Sequence, residues 1–186
     1  EPISVAADFT FEGLELHRLF AGRLPPDLAV TAAGAATLRW SPGATRADVR
    51  FRELGAAVGV HAVELVAPAR VSLRDGRVDL GILDLAGDGT RVTLRGSFGD
   101  DLDLTLRGTV EAGVLPPFLP LLAQGRGPIG GALVVRGTAD APRARGNLII
   151  NEPVELRFRN LRRDIQIRSA DLRLSEDDVE IVALAG

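Results

Sequence analysis

The chain has 186 residues, a formal net charge of -3, 46% hydrophobic and 25% charged residues. This balance excludes wholesale disorder, and the weakly acidic charge removes the electrostatic ground for a nucleic-acid partner. With no Cys, disulfides, thiolate metal sites and cysteine nucleophiles are excluded as well.

Met is also absent, so the chain is expected to be a piece of a longer protein. No apolar run reaches the roughly 18 residues that a bilayer-spanning helix needs. The most apolar stretch, Val114 to Ala123, is short and holds three prolines. No transmembrane span is expected in this segment.

In chain order, the first break in pattern lies over 17–26, around Leu24-Pro25-Pro26. It predicts a short apolar helix or turn. After it come short period-two runs, which point successive side chains to opposite faces of a sheet. These are Val49-Arg50-Phe51-Arg52, Val71-Ser72-Leu73-Arg74, Val78-Asp79-Leu80 and Val92-Thr93-Leu94-Arg95. Leu102 to Arg107 alternates at every position. Asp75-Gly76, Asp88-Gly89 and Gly99-Asp100-Asp101 lie between runs and suit tight hairpins, since Gly and, more weakly, Asp tolerate positive φ.

A second break, with Leu115-Pro116-Pro117, predicts a short apolar helix over 114–122. Strands then resume with Leu133 to Arg136, Leu148 to Ile150, Val154 to Arg159, Ile165 to Arg168, Leu172 to Leu174 and Val179 to Ile181, with a further turn at Ser175-Glu176-Asp177-Asp178. The connections are too short for crossover helices, so the sheet is expected to be antiparallel, with about a dozen strands.

The breaks reveal a repeat. Leu24-Pro25-Pro26 matches Leu115-Pro116-Pro117, Val78-Asp79-Leu80 matches Val179-Glu180-Ile181, and Leu85-Ala86-Gly87 matches Leu184-Ala185-Gly186. The offsets of 91 to 101 residues divide the chain into a first unit, 1–112, and a truncated second unit, 113–186. Stacked units of one kind predict an elongated architecture.

The order of Leu133-Val134-Val135-Arg136-Gly137-Thr138, then Pro142, Gly146 and Asn147-Leu148-Ile149-Ile150, follows a Pro-Pro segment and precedes amphipathic hairpins. In this it resembles the repeating region of the TamB and AsmA-like proteins of Gram-negative envelopes. The likeness covers the chain from about Leu14 onward. In the first unit the equivalent stretch, Ala36 to Gly43, lacks the Gly-Thr turn. The resemblance implies a mainly β fold, an elongated, curved antiparallel sheet forming an open U-shaped groove with one or two short apolar helices. It also implies a periplasmic location, a parent anchored in the inner membrane, and a part in phospholipid transport or outer-membrane protein assembly.

The groove face is carried over to alternating apolar positions only. These are Val92, Leu94, Leu102, Leu104, Leu106, Leu133, Val135, Leu148, Ile150, Val154, Leu156, Phe158, Ile165 and Ile167. Expected partners are phospholipid acyl chains, neighbouring repeats of the same chain and an outer-membrane β-barrel protein. Roughly thirty lipid methylenes at about 0.8 kcal/mol each cost on the order of 24 kcal/mol in water, which an aliphatic trough largely removes. Aspartate at both Leu104 and Leu156 is expected to abolish lipid binding. The alternative is an interaction module that adds its edge strands to those of a client.

Catalytic apparatus is not visible, and the chain is expected to be no enzyme. His17 and His61 stand 44 residues apart with no metal-spaced partner, and no cofactor is expected. Gly125-Arg126-Gly127-Pro128-Ile129-Gly130 fits the dinucleotide pattern, but a strand rather than a helix is predicted after it, so it reads as a turn. The acidic turns, Asp100, Asp101 and Asp103 with Glu176, Asp177 and Asp178, read as solvated hairpin ends.

Overall fold

Alternating side chains produce strands throughout, and the computed structural model describes residues 4–19, 25, 27–138, 141–175 and 178–185. Among them the order is β1 (Val5–Glu15), a single helical turn α1 (Leu16–Leu19), β2 (Leu28–Ser41), β3 (Ala44–Val58), β4 (His61–Leu65) and β5 (Ala69–Arg74). There follow β6 (Arg77–Gly87), β7 (Thr90–Phe98), β8 (Leu102–Glu111), β9 (Leu122–Arg126), β10 (Pro128–Gly137) and β11 (Pro142–Ile150). The chain closes with β12 (Val154–Phe158), β13 (Ile165–Ile167), β14 (Ser169–Leu174) and β15 (Val179–Ala185).

Twelve of these strands form one antiparallel sheet in the order β1-β2-β3-β4-β6-β7-β8-β10-β11-β14-β15, with β5 paired to β3 and β6. The other three form a small sheet, β13-β12-β9. The fold is therefore mainly β, with a large antiparallel sheet and almost no helix. Eleven strands in line give ten steps, or about 48 Å at the usual 4.8 Å spacing. This is shorter than twelve strands in file, because β4 and β5 share one place beside β3.

The hairpin turns follow from their residues. Asp75 and Gly76 have φ of 49° and 85°, and Asp88 and Gly89 of 42° and 75°, the left-handed pairs that two-residue hairpins require. Each Asp also accepts a hydrogen bond from another hairpin: Thr45 N–H to Asp75 Oδ1 (3.1 Å) and Ala62 N–H to Asp88 Oδ2 (2.7 Å).

The long strands are bent. Register slips by β-bulges between Phe11 and Leu14 in β1, at Arg52 in β3, opposite Ala33 and Gly34 of β2, and at Gly81-Ile82 in β6. At the matching place Val66, Ala67 and Pro68 separate β4 from β5. About 95 to 100 residues later the same sites carry full breaks: Gly127 separates β9 from β10, Asn151 to Pro153 separate β11 from β12, and Arg168 separates β13 from β14. Both halves thus run through one order of pairing, β2-β3-β4/β5-β6 in the first and β9/β10-β11/β12-β13/β14-β15 in the second. The large sheet is continuous across residue 112, since β8 pairs with β10 along its whole length. Of the matched triplets, Leu24, Pro26 and Gly186 lie outside the described residues, as do Glu176 and Asp177 of the last acidic turn and Ala139-Asp140 after the Gly-Thr turn.

The second break differs from the helix expected over 114–122. Only a 3-10 turn forms, at Ala112–Val114, followed by turns in which Leu115 O accepts from Phe118 N–H (2.9 Å) and Leu119 N–H (3.1 Å). Pro116, Pro117 and Pro120 lack donors, and each disfavours helical backbone in the residue before it, so no ladder can propagate.

Burial is sparse. Among the described residues ten apolar residues are buried, and only Leu122 and Val154 are large and fully enclosed. The surface of 12,410 Å² compares with about 8,600 Å² expected of a globular monomer of this mass. An extended sheet, open on both faces over most of its length, accounts for the excess.

Candidate functional site

The register gathers apolar side chains into rows that run across the strands. One row crosses nine consecutive strands: Phe9, Ala36, Val49, Val71, Leu80, Gly96, Leu104, Val135 and Ala144. Two residues along lies Leu83, Leu94, Leu106, Leu133, Gly146 and Leu174. A third row holds Leu65, Leu85, Val92, Gly108, Gly131, Leu148, Leu172 and Ile181. Eight steps of about 4.8 Å make the first row about 38 Å long.

Glycines interrupt these rows at chosen places. Gly108 and Gly131 lie side by side on β8 and β10, so two adjacent positions carry no side chain; Leu148 leans over Gly131, its Cδ2 lying 2.9 Å from where a Cβ would stand. At Gly108, with φ of 136°, a Cβ would fall 2.9 Å from Val92 Cα and 3.0 Å from the carbonyl carbon of Arg91, both backbone atoms of β7. The floor of the face is therefore lowered here by glycine, and the neighbouring backbone occupies the space.

The opposite face is polar and laced with cross-strand pairs. Thr37 donates to Asp8 (2.6 Å), Thr93 to Asp84 (2.5 Å) and Arg136 to Asp103 (3.3 Å), and Arg173 pairs with Glu180 (3.4 Å). Such exposed pairs each contribute little, but they fix which side faces water.

The expected groove residues fall into two groups. Val92, Leu94, Leu102, Leu104, Leu106, Leu133, Val135, Leu148 and Ile150 all lie on the apolar face of the large sheet. Leu94, Leu104, Leu106, Leu133, Val135 and Leu148 are half-buried. Val154, Leu156, Phe158, Ile165 and Ile167 do not lie in that sheet. The Asn151 to Pro153 break, where Pro153 has no N–H to extend a ladder, moves them to β12 and β13 of the small sheet. There Val154, Leu156 and Ile167 pack against Ile129, Ile150, Ala170 and Leu172 of the large sheet, with Ala112 and Leu115. At this end two apolar faces close on one another in a dry core. Phe158 stands opposite Leu122, and Ile165 is exposed.

Several face residues carry no mark in the sequence that assigns them to the site. Phe9, Val49, Val71, Leu80, Leu83 and Leu85 continue the same rows into the first unit. Their alternation announces strands, but only the register shows that they share a face with Leu104. Phe11 and Phe51 close the far side of this region, ring centroids 6.1 Å apart and edge to face across Gly34.

Between the β3–β4 tip and the small sheet lies a cavity of about 710 Å³, lined by Val58, His61, Gly113, Pro116, Gly125 and Leu156 together with Asp27, Arg126, Glu155, Arg157 and Asp164. His61 begins β4, and its ring lies against Gly113. Arg157 forms a two-pronged pair with Asp164 (2.8 and 2.7 Å), and the guanidinium holds that carboxyl below its ordinary value. The Gly125 to Gly130 segment is the end of β9, a turn at Gly127 and the start of β10. Gly127 N–H donates to Glu111 Oε1 (2.6 Å). No family model, curated protein or solved structure matches the chain.

Proposed function

We propose that this chain is a non-enzymatic segment of a periplasmic bridge, whose apolar face shields phospholipid acyl chains moving between the inner and outer membranes. The observation that carries the reading is the apolar row across nine strands, interrupted at Gly96, with Leu104, Val135 and their neighbours half-buried. Hydrocarbon laid on such a face leaves water at about 25 cal/mol per Å² of apolar surface covered, and a headgroup stays solvated at the rim. The location and the inner-membrane anchoring of the parent are part of this proposal and rest on the sequence resemblance to the TamB and AsmA-like repeats.

The test is lipid capture by the purified chain from phospholipid vesicles, read by extraction of bound lipid. Asp at both Leu104 and Val135, a facing pair on β8 and β10, is expected to abolish capture and leave the circular dichroism unchanged. Leu156 is unsuited to this purpose, because it packs against the dry core. A folded Leu104→Asp, Val135→Asp protein that retains its lipid overturns the reading. The second reading is strand addition to an outer-membrane client. Its support is that β1 and β15 each have one side without a strand partner among the described residues. Crosslinks from those edges to a client strand, with no lipid captured, favour it.

A further inference from the structure

At the outer end of the small sheet two loops meet, one before β9 and one after β12. Phe158 stands opposite Leu122, Arg159 N–H donates to Leu121 O (2.9 Å), and Leu161 N–H donates to Phe158 O (3.3 Å). Turn hydrogen bonds and three prolines stiffen the first loop. The consequence is a tip of large apolar side chains facing water: Phe118 is 55% exposed, Leu119 49%, Leu121 61% and Leu161 48%. They stand outside the rows of the large sheet and outside the dry core.

Charge around this tip runs against the rest of the molecule. Residues 157–168 hold five Arg and one Asp, a local charge of +4 in a chain of -3, so the remaining residues sum to -7. Asp164 is engaged by Arg157, which leaves Arg159, Arg162 and Arg163 exposed and without an ion pair among the described residues. Exposed leucines and a phenylalanine, on a loop hydrogen-bonded to one that carries three unpaired guanidinium groups, match a surface with phosphate oxygens above hydrocarbon.

We infer that this tip docks on an anionic lipid bilayer, the apolar side chains entering the interface and the arginines meeting lipid phosphates. Docking would set the apolar face beside its lipid source and so deepens the function proposed above, but the contact stands on the tip's own chemistry.

Flotation with vesicles separates the two. The chain is expected to float with vesicles of phosphatidylcholine mixed with phosphatidylglycerol, to float poorly with phosphatidylcholine alone, and to be released by high salt. Gln at Arg159, Arg162 and Arg163 together is expected to weaken binding on the order of 100-fold, from about fivefold for each charge. Ser at Phe118 and Leu121 lowers binding to both vesicle types. All five side chains are exposed, so the variants are expected to melt like the parent. The Leu104→Asp, Val135→Asp protein is expected to float normally even though it captures no lipid. Absence of flotation, equal flotation on both vesicle types, indifference to the arginine changes, or loss of flotation in the Leu104→Asp, Val135→Asp protein each overturns the proposal.

Discussion

Replacing Gly108 with Ala tests the apolar face at its most constrained point. The φ of 136° lies where only glycine is commonly found, and forcing an L-residue there costs about 1–3 kcal/mol. The new methyl also meets Val92 Cα at 2.9 Å and the carbonyl carbon of Arg91 at 3.0 Å, with the Arg91 carbonyl oxygen nearer still. These are backbone atoms, so no rotamer change relieves the contact, and β7 must move away from β8. Two ladder hydrogen bonds beside Val92 then weaken, at about 1 kcal/mol each. The sum is about 3–5 kcal/mol, a large part of an ordinary domain's stability. Urea unfolding at equilibrium measures it as a fall in midpoint. Gly43→Ala is the control, because Gly43 also has positive φ, 83°, but a Cβ there meets nothing within 4 Å, so only backbone strain of about 1–2 kcal/mol is introduced. If Gly108→Ala costs no more than Gly43→Ala, the steric argument for the lowered floor is wrong.

Val154→Ala removes two methyl-sized volumes from a fully enclosed site between the sheets and is expected to cost about 2 kcal/mol. Hydrogen exchange locates the loss: protection should fall first in β9, β12 and β13, and an equal fall in β6 to β8 would contradict a separable small sheet. Asp164 has its pKa lowered by the hydrogen-bonded Arg157 guanidinium, so this pair's contribution is present above the ordinary value of 3.8 and disappears as pH falls through the lower folded value. Asp164→Asn is therefore expected to lower the Tm slightly near neutrality and not at all in strong acid. Melting curves that stay apart in acid would exclude the carboxylate charge as the cause.

Strand content was legible wherever one face meets core-like neighbours and the other meets water. Leu102 to Arg107 and Val154 to Arg159 alternate without exception, and they form β8 and β12. The Asp-Gly pairs marked their turns, because so few residues accept positive φ. The bends were not legible. A bulge such as Gly81-Ile82 inserts one residue and leaves the alternation on either side intact, so it reads as a ragged strand end. β2 was obscured for another reason: Ala29, Ala32, Ala33, Ala35 and Ala36 give both faces the same small apolar residue, and no period survives. Assigning Val154, Leu156 and Ile167 to one trough with Leu104 failed on the break at Pro153. Periodicity specifies which side of its own strand a residue faces. It carries no information about which sheet that strand joins.

Strand pairing in the large sheet is almost wholly between segments close in sequence, each hairpin resting on the one before it. Cohesion of this kind is nearly one-dimensional: each pair is stabilised by its immediate neighbours and hardly at all by distant ones. Damage at one hairpin therefore spreads outward step by step and fades, rather than collapsing the whole assembly. The middle of the array, β7, β8 and β10, is supported from both sides, whereas the flanks at β1 and β15 fray first.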